Sequence, residues 1–164
     1  MSNNRTEVRF FLSYAHENLT LASKFKKLIV SQLGPSLKYK YKIWRDEDDL
    51  LPGQSWSNEI KKALDDCDLG LLLVTPSFLN SSFITNQELP IFNGEKGKPY
   101  IPIMLSNINL KRHNLKGLDS SQIFRFRTSQ GNLKDFSNCN TRQRNEFCEI
   151  LFEKIESRLD SLGL

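Results

Sequence analysis

The segment "LGLLLVT", residues 69–75, is the most apolar run of the chain. A short, continuous apolar run is typical of a strand that is covered on both faces. Pro76 follows directly and cannot donate to a ladder of backbone hydrogen bonds, so the strand is expected to end there. The segment therefore predicts an inner strand at the centre of a sheet.

Patterns on both sides of this run alternate between strand and helix. Further strands are predicted in the apolar or alternating runs at residues 8–15, 39–46, 100–105 and 122–126. Helices are predicted from apolar residues at helical spacing at residues 18–33, 55–66, 82–93 and 141–160. Five strands that alternate with helices predict an α/β fold, a doubly wound five-stranded parallel sheet with helices on both faces.

Three details refine this prediction. The 39–46 run alternates apolar and polar residues, which favours a position near a sheet edge. Pro102 lies inside the 100–105 run, where it cannot donate a ladder hydrogen bond. Residues 106–121 and 127–140 are polar and lack periodicity, so we expect loops or irregular helix there.

Composition indicates one globular domain over residues 1–164, with a core at about 6–160. The chain is 26% charged and 38% hydrophobic, which is ordinary for a folded protein of 164 residues. The net charge is +4, but the Lys and Arg residues are scattered along the chain. Scattered basic residues indicate solvated faces rather than a nucleic-acid-binding surface, so no nucleic acid is expected as a partner.

Cysteine usage and hydropathy favour a cytoplasmic protein. The three cysteines, Cys67, Cys139 and Cys148, are odd in number and lack CxxC spacing, so neither a disulfide framework nor a zinc site is predicted. Cys67 and Cys148 are interpreted as small core residues. No apolar run is long enough to cross a bilayer, so no membrane association is expected. The chain could be a whole protein or the N-terminal domain of a longer one.

Several enzyme classes lack their motifs here. The chain has no GxGxxG after the first strand, no GxxxxGK[ST], no HExxH and no GxSxG. His16 and His113 are far apart in sequence without metal-like neighbours, so no metal site is predicted. Ligands of an open parallel sheet bind beyond the carboxyl ends of its strands, which selects the loops at residues 13–18, 45–56, 75–82 and 106 onward.

Those loops carry a family resemblance. "FFLSYAHEN" (10–18) resembles the opening motif of Toll/interleukin-receptor (TIR) domains. The run from "IWRDEDDLLPGQSW" (43–56) to "NSSF" (80–83) resembles their second motif and the segment after it, with Pro52-Gly53 in the loop between the second strand and second helix. "NSSFITNQELP" (80–90) resembles the segment that carries the catalytic glutamate of enzymatic members. The pattern is closer to bacterial TIR domains than to animal receptor tails.

The resemblance implies a flavodoxin-like five-stranded sheet and one of two functions. The first is cleavage of NAD+ as substrate, by hydrolysis or cyclisation with release of nicotinamide and with no cofactor, in antiviral or stress signalling after self-association. The alternative is a non-catalytic adaptor that acts through homotypic TIR–TIR contacts of the 45–56 loop. Either function leaves room for a C-terminal sensor domain or partner. A flavodoxin-like response module ranks lower, because no acidic phosphoacceptor pocket follows the first strand.

Glu88 separates the two functions. By resemblance it corresponds to the catalytic glutamate, and its carboxylate would stabilise the oxocarbenium-like state of the breaking glycosidic bond or hold the ribose hydroxyls. The alternative reading from the residues alone is an ordinary helix glutamate that faces solvent. Pro90 cannot donate to the carbonyl of Asn86, so a kink is expected beside Glu88. An enzyme requires Glu88 in a cleft near Tyr14 and Trp56.

Other substrate-binding residues are also implied by the resemblance, namely Ser13, Tyr14, Ala15, His16, Arg45, Trp56, Ser82 and Phe83. Tyr14 could stack and His16 could hydrogen-bond, although His16 also fits a plain solvent-exposed loop residue. Ser81 and Ser82 are expected to cap the helix of Glu88, with a second role in holding phosphate. Phe83 stands where the family often has tryptophan, so the aromatic wall keeps its place but changes its size.

Each of the two tryptophans beside the 45–56 loop could be a core residue or a ring at the ligand cleft. Trp44 is interpreted as a core residue that covers the apolar edge of the sheet. Trp56 fits equally a core position and a ring that stacks on nicotinamide or adenine. Arg45 could pair with the pyrophosphate, but pairing with Asp46 or Glu47 is favoured. The acidic run itself suits solvation or docking against a basic face of a neighbour.

Overall fold

The computed structural model describes the backbone of residues 4–45 and 56–164, and their side chains except those of residues 45, 56 and 57. The predicted 45–56 loop therefore lies largely outside the described residues.

A four-stranded parallel sheet forms the centre of the fold. Its strands, in chain order, are β1 (Thr6–Ser13), β2 (Tyr39–Arg45), β3 (Leu69–Val74) and β4 (Tyr100–Met104). In space they lie in the order β2-β1-β3-β4. Every residue of β3 is buried, which confirms the 69–75 segment as an inner strand. β2 lies at an edge, as its alternation predicted.

Helices cover both faces of this sheet, as expected for a parallel sheet. They are α1 (Leu19–Leu33), α2 (Trp56–Asp66), α3 (Pro76–Asn80), α4 (Leu89–Asn93) and α5 (Thr141–Leu162), with a π-helical turn at Ile84–Glu88. One apolar cluster joins β-strand residues to α1 and α5, and a second joins them to α2, α3 and α4. None of the helices in the described part of the chain is long and apolar enough to cross a membrane.

The predicted fifth strand at 122–126 is wrong as a full strand. Among the described residues this segment meets β4 only at an isolated parallel bridge between Ile103 and Phe124. Phe124 donates its N–H to the carbonyl of Pro102 at 2.7 Å and accepts from Met104 N–H at 2.9 Å. The N–H and C=O of a strand residue point to the same side of the strand. Pro102 therefore lacks an N–H on the side that faces Phe124. The next rung of the ladder therefore cannot form.

The connections at 106–121 and 127–140 are largely irregular, as predicted. They contain 3₁₀ turns at Ser120–Gln122 and Phe136–Asn138 and a two-residue antiparallel pair of β5 (Phe126–Arg127) with β6 (Leu133–Lys134). α5 then begins with a reciprocal cap, in which Gln143 N–H donates to Asn140 Oδ1 and Asn140 N–H donates to Gln143 Oε1.

The cysteines pack as core residues. Cys67, Cys139 and Cys148 are all buried and unbridged. Burial raises the pKa of the Cys67 thiol to about 11 and that of Cys148 to about 12. Both thiols are therefore protonated at neutral pH, which agrees with their interpretation as small apolar side chains.

Two carboxylates of α5 hold the start of β2. Tyr41 Oη donates to Glu156 Oε2 at 2.6 Å, and Tyr39 Oη donates to Asp160 Oδ1 at 2.5 Å. Lys38 Nζ donates to the same Asp160 oxygen at 2.7 Å. Glu156 and Asp160 are one helical turn apart, so α5 presents both groups to the edge strand. The last helix is thus tied to the strand that leads into the 45–56 loop.

We predict that Asp160→Asn weakens this tie in a pH-dependent way. The hydrogen bonds from Lys38 and Tyr39 lower the pKa of the Asp160 carboxyl below its usual value. A lowered folded-state pKa stabilises the fold above the unfolded value of about 3.9, and the contribution is lost as the pH falls through the lower folded value. Thermal melts at pH 7 should show a lower Tm for Asp160→Asn, with the difference from wild type shrinking below about pH 4.

Glu149→Gln supplies the control, because Glu149 is an exposed acid of the same helix. It should change the Tm little at either pH. A difference between wild type and Asp160→Asn that stays constant from pH 7 to pH 3 would contradict the role assigned to the ionised Asp160 carboxylate.

Candidate functional site

An open cleft lies beyond the carboxyl ends of β1 and β3. Its volume is about 370 Å³, and its lining residues come from the β1–α1 connection and from the segment that follows β3. They are His16, Glu17, Ser77, Asn80, Ser81, Ser82 and Phe83. The position is the one at which parallel sheets bind their ligands. Three of the predicted substrate-binding residues, His16, Ser82 and Phe83, are therefore brought together.

The cleft combines hydrogen-bonding groups with one aromatic ring. Phe83 is 38% exposed, which is unusual for a phenylalanine, and its ring can stack on a planar ligand. His16 and Ser82 are also exposed. No group of three or more His, Cys, Asp or Glu side chains converges to hold a metal ion within the part of the chain described.

The two serines at the cleft have different roles. Ser81 Oγ accepts a hydrogen bond from Ile84 N–H at 3.2 Å, which caps the segment that carries Glu88. This confirms the predicted cap for Ser81. Ser82 already lies in the helical segment and is exposed toward the cleft, so it is the serine that can face a ligand.

The segment that carries Glu88 departs from a regular α-helix directly before Pro90, where the sequence predicted a kink. Residues Ile84–Glu88 form a π-helical turn, in which Leu89 N–H donates to the carbonyl of Ile84. Pro90 follows at the start of α4. The wider turn accommodates the missing N–H of Pro90 and the bulk of its ring, which a regular helix would direct at the carbonyl of Asn86.

Glu88 is fully buried, with an exposed fraction of 0%. The reading of Glu88 as a solvent-facing helix glutamate is therefore wrong. Its neighbours Ile84 and Leu89 belong to the apolar cluster under α2, α3 and α4. Glu88 does not line the cleft of His16, Ser82 and Phe83. The carboxylate is therefore buried in the segment that follows the cleft residues Ser82 and Phe83, and it does not reach the surface.

The end of β1 is also buried. Ser13 is 0% exposed, and Tyr14 and Ala15 are each 2% exposed. Tyr14 packs in the cluster with α1 and α5, whereas Ala15 packs in the cluster with α2 to α4, on the same side as Ile84 and Leu89. Ser13 Oγ makes no hydrogen bond to the residues described. These three residues lie behind the cleft rather than on its wall.

Of Trp44, Arg45 and Trp56, only Trp44 has a side chain that the structure describes. Trp44 is partly buried and stacks on Phe11, with ring centroids 5.1 Å apart and an interplanar angle of 18°. This contact confirms Trp44 as a core residue. The side chains of Arg45 and Trp56 lie outside the described residues, so their predicted roles stay predictions.

A contact between two residues next to the cleft was missed from sequence. Thr75 is fully buried, and its Oγ1 donates to Asn18 Oδ1 at 2.7 Å. The signal available in the sequence was the Thr75-Pro76 pair, which is typical of a helix cap followed by its first residue. Nothing in the sequence indicates that the same hydroxyl reaches Asn18, because the contact spans 57 residues.

A family model matches most of the chain. The family model described as TIR domain matches residues 10–138, which include the second half of β1, all of β2 to β4, the cleft and Glu88. The chain belongs to the TIR domain family. A search of curated proteins finds no match to this TIR domain. Families of this kind include NAD-cleaving enzymes and modules that mediate homotypic interactions, so membership alone leaves both functions open.

A glycine of β3 lets the α4 segment of the TIR domain close on the sheet. A Cβ atom added at Gly70 would lie 2.6 Å from Phe92 Cζ, closer than real contacts allow. Phe92 itself is buried against Phe11 and Tyr100, with centroid distances of 6.4 and 6.2 Å. Gly70 therefore allows α4, the helix that directly follows Glu88, to pack closely against β3.

We predict that Gly70→Ala lowers the free energy of unfolding by about 1–3 kcal/mol, as expected for overpacking of a close-packed core. Denaturant unfolding would measure it. Phe92→Leu in the same chain removes the ring that the new methyl group meets, so the double variant should recover part of the loss. Strictly additive losses in the two variants would contradict the assignment of Gly70 to the Phe92 contact.

Proposed function

We propose that this TIR domain cleaves NAD+ at the bond between nicotinamide and ribose, with Glu88 as the catalytic residue. The observation that supports it best is the complete burial of Glu88, whose neighbours Ile84 and Leu89 belong to an apolar cluster. Burial of a carboxylate costs free energy, and such costs concentrate at functional sites. The π-helical turn at the same residue is a second feature that is frequent at functional sites.

The chemistry requires little beyond a placed carboxylate. Nicotinamide in NAD+ is a cationic leaving group, so it departs with the electron pair of the C–N bond as a neutral molecule. Positive charge develops on the ribose ring, and the Glu88 carboxylate stabilises it or holds the ribose hydroxyls. Attack by water then yields ADP-ribose and a proton, whereas attack by a nucleophile of the same molecule yields a cyclic product.

The surface cleft supplies the binding groups in this proposal. Phe83 would stack on a planar ring, while His16 and Ser82 would hydrogen-bond to ribose or phosphate oxygens. Ser13, Tyr14 and Ala15 lie behind this wall, so they would contact the substrate only after the wall moves. Arg45 and Trp56 remain predicted contacts from the β2 side of the same edge.

Access to Glu88 then depends on a conformational change. The carboxyl is 0% exposed, so NAD+ cannot contact it in the described state. We propose that self-association through the 45–56 loop shifts the population toward an open state, because that loop leaves β2 at the same carboxyl edge. The protein would then act as a cytoplasmic signalling enzyme of antiviral or stress defence.

The second candidate function is a non-catalytic adaptor that works through homotypic TIR–TIR association. The observation that favours it is the same burial of Glu88, since a carboxyl that never reaches the surface cannot act on a substrate. An adaptor would use the 45–56 loop for association and would tolerate the loss of Glu88.

We predict that Glu88→Gln abolishes nicotinamide release, with a loss of about a hundredfold or more, as seen when one charge-stabilising group is removed from an active site. The assay incubates self-associated protein with NAD+ and a crowding agent and separates the products by chromatography. Glu95→Gln is the matched control, because Glu95 is an exposed glutamate shortly after the same helix.

Wild type and Glu95→Gln should consume NAD+ equally, and the second product should identify hydrolysis or cyclisation. Silence of all three proteins, with self-association shown by sedimentation, would leave the adaptor function. Equal activity in all three would remove Glu88 from the catalytic role.

A further inference from the structure

We infer that Thr75 is a positioning residue that sets the width of the cleft, by fastening one wall to the other. The hydroxyl of Thr75 accepts a hydrogen bond from Phe78 N–H at 2.9 Å and donates one to Asn18 Oδ1 at 2.7 Å. The first bond fixes the turn into α3, and the second reaches across to the β1–α1 connection. One side chain therefore joins the two segments that form the cleft.

Each end of this link lies next to residues of the cleft wall. On one side, Asn18 closes the 3₁₀ turn of His16–Asn18 and donates its N–H to the carbonyl of Ala15 at 2.9 Å. His16 and Glu17 of this turn line the cleft. On the other side, Ser77 and Asn80 of α3 line it. A shift of either segment relative to the other changes the distance across the cleft.

The behaviour of Asn18 is independent support for a dedicated link. Asn18 occupies the N-cap position of α1, where asparagine side chains commonly accept a hydrogen bond from the helix backbone. Its side chain makes no such bond to the helix. Asn18 Oδ1 instead accepts from Thr75, so the chain gives up a helix cap to hold the two walls together.

Thr75 is the fixed end of this link. It is 0% exposed and directly follows the fully buried β3, so its backbone is held by the centre of the sheet. Asn18, by contrast, belongs to a surface turn beside the exposed His16. The rigid partner is Thr75 and the positioned partner is the His16 turn. The hydrogen bond to Asn18 therefore holds the cleft wall that carries His16 in a fixed position relative to the sheet.

The test compares Thr75→Val, which keeps the shape and removes the hydroxyl, with Thr75→Ser, which keeps the hydroxyl. Thr128→Val is the matched control: Thr128 is also buried and accepts a hydrogen bond, from Asn132 N–H, but in the β5–β6 turn outside the cleft lining. Asn18→Leu removes the other end of the link. All variants are checked for an intact fold by thermal unfolding.

Amide hydrogen exchange gives the first readout and needs no activity. Thr75→Val should speed exchange roughly three- to tenfold in peptides covering both 14–20 and 76–83, as expected for loss of about one net hydrogen bond at each wall. Thr75→Ser should restore the slower exchange, and Thr128→Val should leave both peptides unchanged. Faster exchange confined to 76–83 would show a local helix cap and would overturn the inference.

Kinetics give the second readout, which rests on the proposed NAD+ cleavage. Thr75→Val and Asn18→Leu should each raise KM for NAD+ roughly three- to tenfold with a smaller change in kcat, and the double variant should be no worse than either single one. Unchanged KM in an active protein would overturn the inference. If wild type does not cleave NAD+, the proposed function fails, and the hydrogen-exchange result alone decides the role of Thr75.

Discussion

The complete burial of β3 is the constraint on which the rest of the structure depends. All residues of Leu69–Val74 are buried, so each face of the strand needs its own apolar cover. α1 and α5 supply one cover, and the segment from α2 to α4 supplies the other. The strands are parallel and joined by crossover connections that place helices on both faces, and the ends of β1 and β3 lie side by side. The cleft exists because two such ends meet, and Gly70 and Thr75, at the start and just past the end of the same strand, fix the helix and the loop that surround it.

The elements could be predicted from sequence where hydrophobic periodicity was strong and local. The buried run at 69–75, the alternating run at 39–46 and the helix at 141–160 each have a pattern that one structure explains best. The fifth strand failed for a physical reason that periodicity does not contain. Its apolar residues are buried as predicted, but the missing N–H of Pro102 faces the segment that would have paired with it. Whether this hydrogen bond can form depends on the neighbour that the backbone nitrogen of residue 102 faces, and the sequence does not show which neighbour that is.

The candidate site could also be predicted from sequence only in part. Sequence placed His16 and Ser82 at one edge, because the carboxyl ends of parallel strands meet there, and the family resemblance added Phe83. It did not predict that Ser13, Tyr14 and Ala15 are buried behind that wall, since burial beyond a strand end is decided by tertiary packing. It also did not predict the depth of Glu88. The neighbours of Glu88 in sequence are polar and apolar in mixture, and a regular helical pattern does not contain the π-helical turn in which Glu88 lies.

Burial and catalysis by the same carboxyl are compatible only if the site opens. We propose that self-association controls this opening, so the rate of NAD+ loss per protomer is the most direct measurement. It should be followed over a dilution series from self-associated to monomeric protein, with the assembly state measured in parallel. We predict a per-protomer rate that rises with the associated fraction and falls toward zero on dilution. A per-protomer rate that is the same at every concentration would show that Glu88 is accessible in the single chain and would contradict the account.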